Sequence, residues 1–158
     1  IIAANSYANL GVYLETQADQ LTEVAIFLLE QGAKVTAGEY ARALGRIDLL
    51  KAYMADLFEE YDLLLSPTAC FPAFPYSKFP GKWSPGRAFP DQYWNGAFTL
   101  PINVIGHPAA TVPAGFSAEG LPIGLQIVGR WGDEETVLAA SAAFERVRPW
   151  IGHRPPVS

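Results

Sequence analysis

The sequence has a single cysteine and two histidines in 158 residues. With Cys70 alone no internal disulfide can form. The stapled framework of a small secreted domain is thereby excluded, and a cytoplasmic setting is the default. His107 and His153 each stand without a second His or a Cys at ligand spacing. Zinc needs three or four such ligands, so no metal site is expected. Positive charge is also scarce: Lys and Arg total 11 against 16 Asp and Glu, a net charge of −5. Phosphate backbones repel such a chain, which argues against a nucleic-acid partner.

Residues 92–118 contain no Asp, Glu, Lys or Arg, which invites a membrane reading. Pro101, Pro108 and Pro113 interrupt that run, and Asn95, Asn103 and His107 are polar. A spanning helix needs about 20 mostly apolar residues, so no membrane span is expected. Leu10, Val12 and Leu14 lack a basic leader, so no signal peptide is expected; the opening Ile1 reads as the start of a piece of something longer.

Proline is missing from residues 1–66, and all 13 prolines fall in 67–158. Charge divides at the same place. The first part has 4 basic and 10 acidic residues, the second 7 basic and 6 acidic. The chain reads as one segment of α/β type: helical over 1–60, strands and a Pro- and aromatic-rich loop over 61–131, then a terminal helix and tail over 132–158. No internal repeat is present.

Half of the residues are hydrophobic, enough for a real core. Residues 18–31 read as a helix with Leu21, Val24, Ala25 and Leu28 on one face and Gly32 as its stop. A stronger helix is predicted from Ala37 to Glu60. Thr36 and Glu39 form a capping box before it, and an apolar stripe runs through Tyr40, Leu44, Ile47, Leu50, Met54, Leu57 and Phe58. The continuous run Leu63-Leu64-Leu65 suits a central strand covered on both faces. Six prolines over 67–90 predict a long ordered loop. A short helix is expected from Asp91 to Leu100. Strands over Ala109–Ala114 and Leu121–Val128 would form a hairpin. A last helix is capped by Asp133, buries Val137, Ala140, Ser141, Phe144 and Val147, and ends at Pro149.

Catalytic constellations are hard to find. Gly115-Phe-Ser117-Ala-Glu119 lacks the fifth-position Gly of a nucleophile elbow, so Ser117 reads as a turn residue. Gly129-Arg-Trp-Gly132 stands where phosphate loops stand, but Asp133, Glu134 and Glu135 would repel an anion there. Glu59, Glu60 and Asp62 read as a solvated acidic face. Cys70 has no nearby cation and reads as a small buried hydrophobe. Pro72-Ala73-Phe74-Pro75 matches a PxxP ligand pattern that chance produces often. Nine aromatics lie between Phe71 and Phe98. They either wall an apolar pocket or pin the loop to the body, and the two roles are compatible.

A series of motifs goes further. Tyr61-Asp62-Leu-Leu-Leu-Ser-Pro-Thr68 is followed by Asn103-Val-Ile-Gly-His-Pro-Ala109 and Val112-Pro-Ala-Gly115. Then come Gly120-Leu-Pro-Ile-Gly-Leu-Gln-Ile-Val-Gly129, Gly132-Asp-Glu134, Pro149-Trp150 and Arg154-Pro155. In order and spacing the series resembles the C-terminal third of an amidase-signature enzyme, over roughly residues 20–158.

The resemblance implies a large mixed α/β fold, here its C-terminal part with helices on a partial sheet and a hairpin. It implies amide hydrolysis by a Ser–cis-Ser–Lys triad and no cofactor. That triad has no counterpart here: Lys34, Lys51, Lys78 and Lys82 lack the family context, and no Gly-Ser-Ser-Gly run exists. No catalytic residue is assigned. The expected partner is the N-terminal catalytic part of the same enzyme, the expected substrate a small-molecule amide, and a homo-oligomer is compatible with the sequence.

The expected substrate-pocket residues are Pro67, Thr68, Phe71, Trp83, Tyr93, Trp94 and Asn103, although Asn103 equally suits a turn that bonds its own backbone. Apolar or aryl amides suit the aromatic loop better than glutamine does. There are two rival readings. One is the matching part of a glutamine-hydrolysing tRNA amidotransferase, within its hydrolytic subunit. The other is a non-catalytic binding or scaffold module.

Overall fold

The computed structural model describes residues 1–74 and 96–152. The chain divides into two compact units at Leu50/Lys51, within a long helix.

The first unit opens with α1 (Ile2–Leu10) and α2 (Val12–Thr16), then a 3-10 turn over Ala18–Gln20 and α3 (Glu23–Ala33). Thr22 caps α3 by accepting from the Ala25 amide at 3.3 Å. The helix predicted to stop at Gly32 continues through it. Gly32 is buried inside α3, and a Cβ there would collide with the Ala3 carbonyl and with the Tyr7 Cβ at 2.7 Å. This glycine serves close helix approach rather than termination. Leu29 is the buried side chain of α3, whereas Val24, expected on the inner face, is exposed.

Helix α4 (Ala37–Glu60) has the predicted limits and the predicted cap. The Glu39 amide donates to the Thr36 hydroxyl at 3.2 Å, and the Thr36 amide donates to Glu39 Oε2 at 2.9 Å. Those bonds from Thr36 hold the Glu39 carboxyl below its ordinary pKa. The apolar stripe is buried only at its far end, at Met54 and Phe58; Leu44 is exposed.

The second unit takes the last turns of α4, β1 (Leu63–Pro67), α5 (Leu100–Ile105), β2 (Ala109–Phe116), β3 (Pro122–Gly129) and α6 (Glu134–Val147). The three strands form one antiparallel sheet in the order β1-β3-β2. Leu63 pairs with Gly129 and Pro67 with Leu125. Ala109 pairs with Val128, and a register shift between Pro113 and Gly115 bends β2 before the hairpin.

The central strand is therefore β3, not the Leu63–Leu65 run. Gln126, Ile127, Val128 and Gly129 are buried in succession, as a strand covered on both faces must be, while Leu65 is 57% exposed. Of the short helix expected over Asp91–Leu100, residues 91–95 lie outside the described residues and 96–99 form a turn, and α5 begins at Leu100. Pro101 stands in its first turn, where the missing N–H costs nothing, and Gly106 ends it in the left-handed conformation at φ 77°.

Val112, Ile127 and Val137 form the core between sheet and α6, joined by Leu63, Ala110, Leu125, Ala140, Phe144 and Trp150. Asp133 caps α6 as predicted, with Oδ1 accepting from the Thr136 amide at 3.2 Å. Val147 does not join the core and is 75% exposed. Trp150, three residues on, packs against the cluster.

Candidate functional site

The sheet has two ends, and each carries a cavity. At the first end the chain leaves β1 through Pro67 and Thr68. The Thr68 amide donates to the Gly124 carbonyl at 3.0 Å, extending the ladder by one bond. Its hydroxyl donates to Thr111 Oγ1 at 3.2 Å. The two threonines close over Gly124, where a Cβ would lie 2.8 Å from Thr68 Oγ1 and 2.9 Å from Thr111 Cγ2. Only glycine lets these side chains meet across the central strand.

Beyond Thr68, residues Ala69–Ala73 and Pro122–Gly124 enclose a cavity of about 420 Å³. Phe71 lines it and leans on Phe74, ring centres 5.5 Å apart at 49°. Cys70 lines it too and is exposed, contrary to the buried role expected. It lies past the strand, where the backbone has left the sheet.

Of the expected pocket residues, Phe71 lines this cavity, while Pro67 and Thr68 close the strand just before it and are not part of its lining. Asn103 does not line this cavity. It is exposed on α5, its amide donating to the Thr99 carbonyl at 3.0 Å, so it is a helical residue rather than a turn residue. Trp83, Tyr93 and Trp94 lie outside the described residues.

Sequence reasoning missed Gln126, the one buried polar residue among the described residues, at 4% exposure. Its Nε2 donates to Ser66 Oγ and to the Phe98 carbonyl, both at 3.0 Å. Ser66 Oγ in turn donates to the Pro67 carbonyl at 3.2 Å. A polar residue inside the apolar string Leu125–Val128 was the available signal, because a buried amide needs partners.

The second end lies about 16 Å away along β3, at some 3.3 Å per residue. Lys51, Ala55, Phe58, Glu59, His107, Arg130 and Trp131 line a cavity of about 630 Å³ there. Arg130 Nη2 donates to the Phe58 carbonyl at 2.6 Å, capping a free carbonyl near the α4 C-terminus with a cation. His107 stacks on the Phe58 ring at 5.3 Å and 19°. Its Nδ1 lies 2.9 Å from the Gly129 carbonyl, which can only accept, so Nδ1 carries the proton. The histidine is a packing and hydrogen-bonding element.

Asp133 is held below its ordinary pKa, chiefly by hydrogen bonds from Thr136 and then by the charge of Arg130. Ser117 is a turn residue, as expected: it accepts from the Glu119 and Leu121 amides, both at 3.2 Å. Among the described residues no group of three His, Cys, Asp or Glu side chains could hold a metal ion. No helix among them is long and apolar enough to cross a membrane.

The family model described as Amidase matches residues 9–138. An acylamidase of Rhodococcus erythropolis is 35% identical over 145 residues, covering 89% of this chain and 30% of the relative. A glutamyl-tRNA(Gln) amidotransferase subunit of an Exiguobacterium species is 37% identical over 150 residues, covering 82% of this chain and 29% of the relative. The chain therefore spans about three-tenths of the length of these relatives.

Among solved structures, 6-aminohexanoate cyclic dimer hydrolase superposes with a TM-score of 0.79 at 25% identity, over 98% of this chain and 34% of that one. A bacterial aryl acylamidase of the amidase-signature family gives 0.74 at 27% identity, over 94% and 32%. Sequence and fold agree: the chain belongs to the amidase family, that of the amidase-signature enzymes.

Proposed function

We propose that these residues form the C-terminal part of an amidase-signature amidohydrolase whose complete form cleaves the C–N bond of a carboxylic amide. The observation that carries this reading is the family match across residues 9–138, together with 35% identity to an acylamidase.

The Ser–Ser–Lys chemistry of the resemblance has no counterpart in this sequence. In the proposed enzyme an upstream part supplies the attacking serine, its proton relay and its base. The present residues supply a rigid sheet and one wall of the cleft. Thr68 is fixed to the sheet through its amide and its hydroxyl, and Phe71 presents an apolar face in the adjoining cavity. Such a wall orients an acyl group and limits water, which is how positioning accelerates an acyl transfer. The Phe71–Phe74 pair favours apolar or aryl acyl groups over a small polar one.

The test is a panel of acyl and aryl amides offered to the protein expressed from its complete gene, with a serine-reactive fluorophosphonate probe. The complete protein is expected to turn over apolar amides and to take the label. The 158-residue chain by itself is expected to do neither; turnover or specific labelling of it overturns the assignment.

A second reading follows from the amidotransferase relative: release of ammonia from glutamine for a tRNA-linked acid. It requires partner subunits and glutamine turnover. Preference for glutamine over aryl amides would establish it in place of the first.

A further inference from the structure

On the hydrolase reading, we propose that Gln126 is a positioning residue that sets the width of the acyl-side wall by tying Phe98 to the exit of β1. The side chain is 4% exposed at the centre of the sheet. The Phe98 carbonyl can only accept, so the carboxamide atom facing it is the nitrogen, and both its protons are used: one on Phe98, one on Ser66 Oγ. Ser66 Oγ is thereby left to donate onward to the Pro67 carbonyl.

One buried amide thus links three stretches of chain. These are the central strand, the exit Ser66-Pro67-Thr68, and the turn that leads into α5 from Gly96 to Thr99. No apolar side chain of the same size can do this, because it would leave the Phe98 carbonyl without its donor. Glutamate cannot do it either, since an ionised carboxylate offers two acceptors to a carbonyl. The substrate class follows from what is held. Phe71, which lines the cavity, follows three residues after the Ser66-Pro67-Thr68 exit that the network fixes, so the placement it sets matters most for bulky apolar acyl groups.

The experiment compares Gln126→Leu, Gln126→Glu and Ser66→Ala in the protein expressed from its complete gene, with amides of small and of bulky aryl acyl groups. Thermal melting reports the folded fraction. Gln126→Leu is expected to raise KM for the bulky amides on the order of tenfold, the equivalent of one lost hydrogen bond, with kcat nearly unchanged and little effect on small acyl groups. Ser66→Ala, which leaves the Phe98 bond in place, is expected to show the same bias at smaller size and serves where the Gln126 variants fold poorly.

A purely structural amide would lower the melting temperature and leave the selectivity of the folded enzyme alone. Unchanged selectivity in active, folded Gln126→Leu and Ser66→Ala overturns the positioning role. A complete protein with no amide turnover at all overturns the hydrolase reading on which the substrate role rests.

Discussion

The two ends of the three-stranded sheet are built in opposite ways. Around Gly129 everything is fastened: Arg130 holds the last turn of α4, His107 holds the Gly129 carbonyl, and Val137 of α6 presses on the strand where a Cβ would be. Around Gly124 β1 stops and its chain departs, while β2 and β3 run on into their hairpin, and two threonine hydroxyls and one buried amide keep the exit of β1 in place. Rigid anchorage at one end allows loops at the other to carry recognition without losing their base. Substitutions at the fastened end should cost stability, and those at the open end should alter substrate handling.

The strongest test of that contrast is Phe58→Ala. Phe58 is 1% exposed and supplies both the ring under His107 and the carbonyl held by Arg130. Removing the ring is expected to destabilise the protein by about 3–5 kcal/mol in denaturant titration. Next is Gly129→Ala, whose added methyl would sit 2.5 Å from Val137 Cγ2 inside the core. A cost of about 1–3 kcal/mol is expected, with binding of substrate by the remaining folded protein unchanged.

At the open end, Gly124→Ala meets Thr68 Oγ1 and Thr111 Cγ2, side-chain atoms that are not fully buried. Its stability cost is expected to stay near 1 kcal/mol, while KM for bulky amides shifts as Thr68 is displaced. If Gly124→Ala proves the more destabilising of the two glycine changes, the contrast between the ends fails.

The smallest effect is that of pH. Asp133 beside the fastened end and Glu119 in the hairpin are both held below the ordinary carboxylate pKa, by bonds from Thr136 and from Ser117. A depressed folded-state pKa adds stability above the unfolded value, and that stability is lost as pH falls through the folded one. The protection of the Thr136 and Glu119 amides, measured against the intrinsic exchange rate at the same pH, is therefore expected to fall on acidification below the usual carboxylate range, ahead of that of the core amides.

Much of this architecture could be read from the chain because it is local. The capping box at Thr36 and Glu39, the limits of α4, the Asp133 cap and the Gly115–Gly120 connection all depend on residues within a few positions of each other. The departures are long-range. Gly32 looks like a helix stop until the Ala3 carbonyl is seen against it. Leu63–Leu65 has the composition of an inner strand, yet β3 occupies the middle.

His107 offers two ring nitrogens to any metal hypothesis, and the fold spends one on Gly129 and the ring face on Phe58. Gln126 was written plainly in the most family-specific string of the sequence. Its partners, 60 and 28 positions away, were not. Of the expected pocket residues that are described, Phe71 lines the cavity past β1, Pro67 and Thr68 stand at the strand exit just before it, and Asn103 lies on α5.

The contact at Gly32 has a consequence for the genetics of the protein. The nearest obstacle to any larger residue there is the main-chain carbonyl of Ala3 in α1, with the Tyr7 Cβ beside it. No companion replacement on α1 can trim that carbonyl away, so a defect at this position has no intragenic suppressor of the usual cavity-for-bulk kind. Only sliding one whole helix past the other would relieve it.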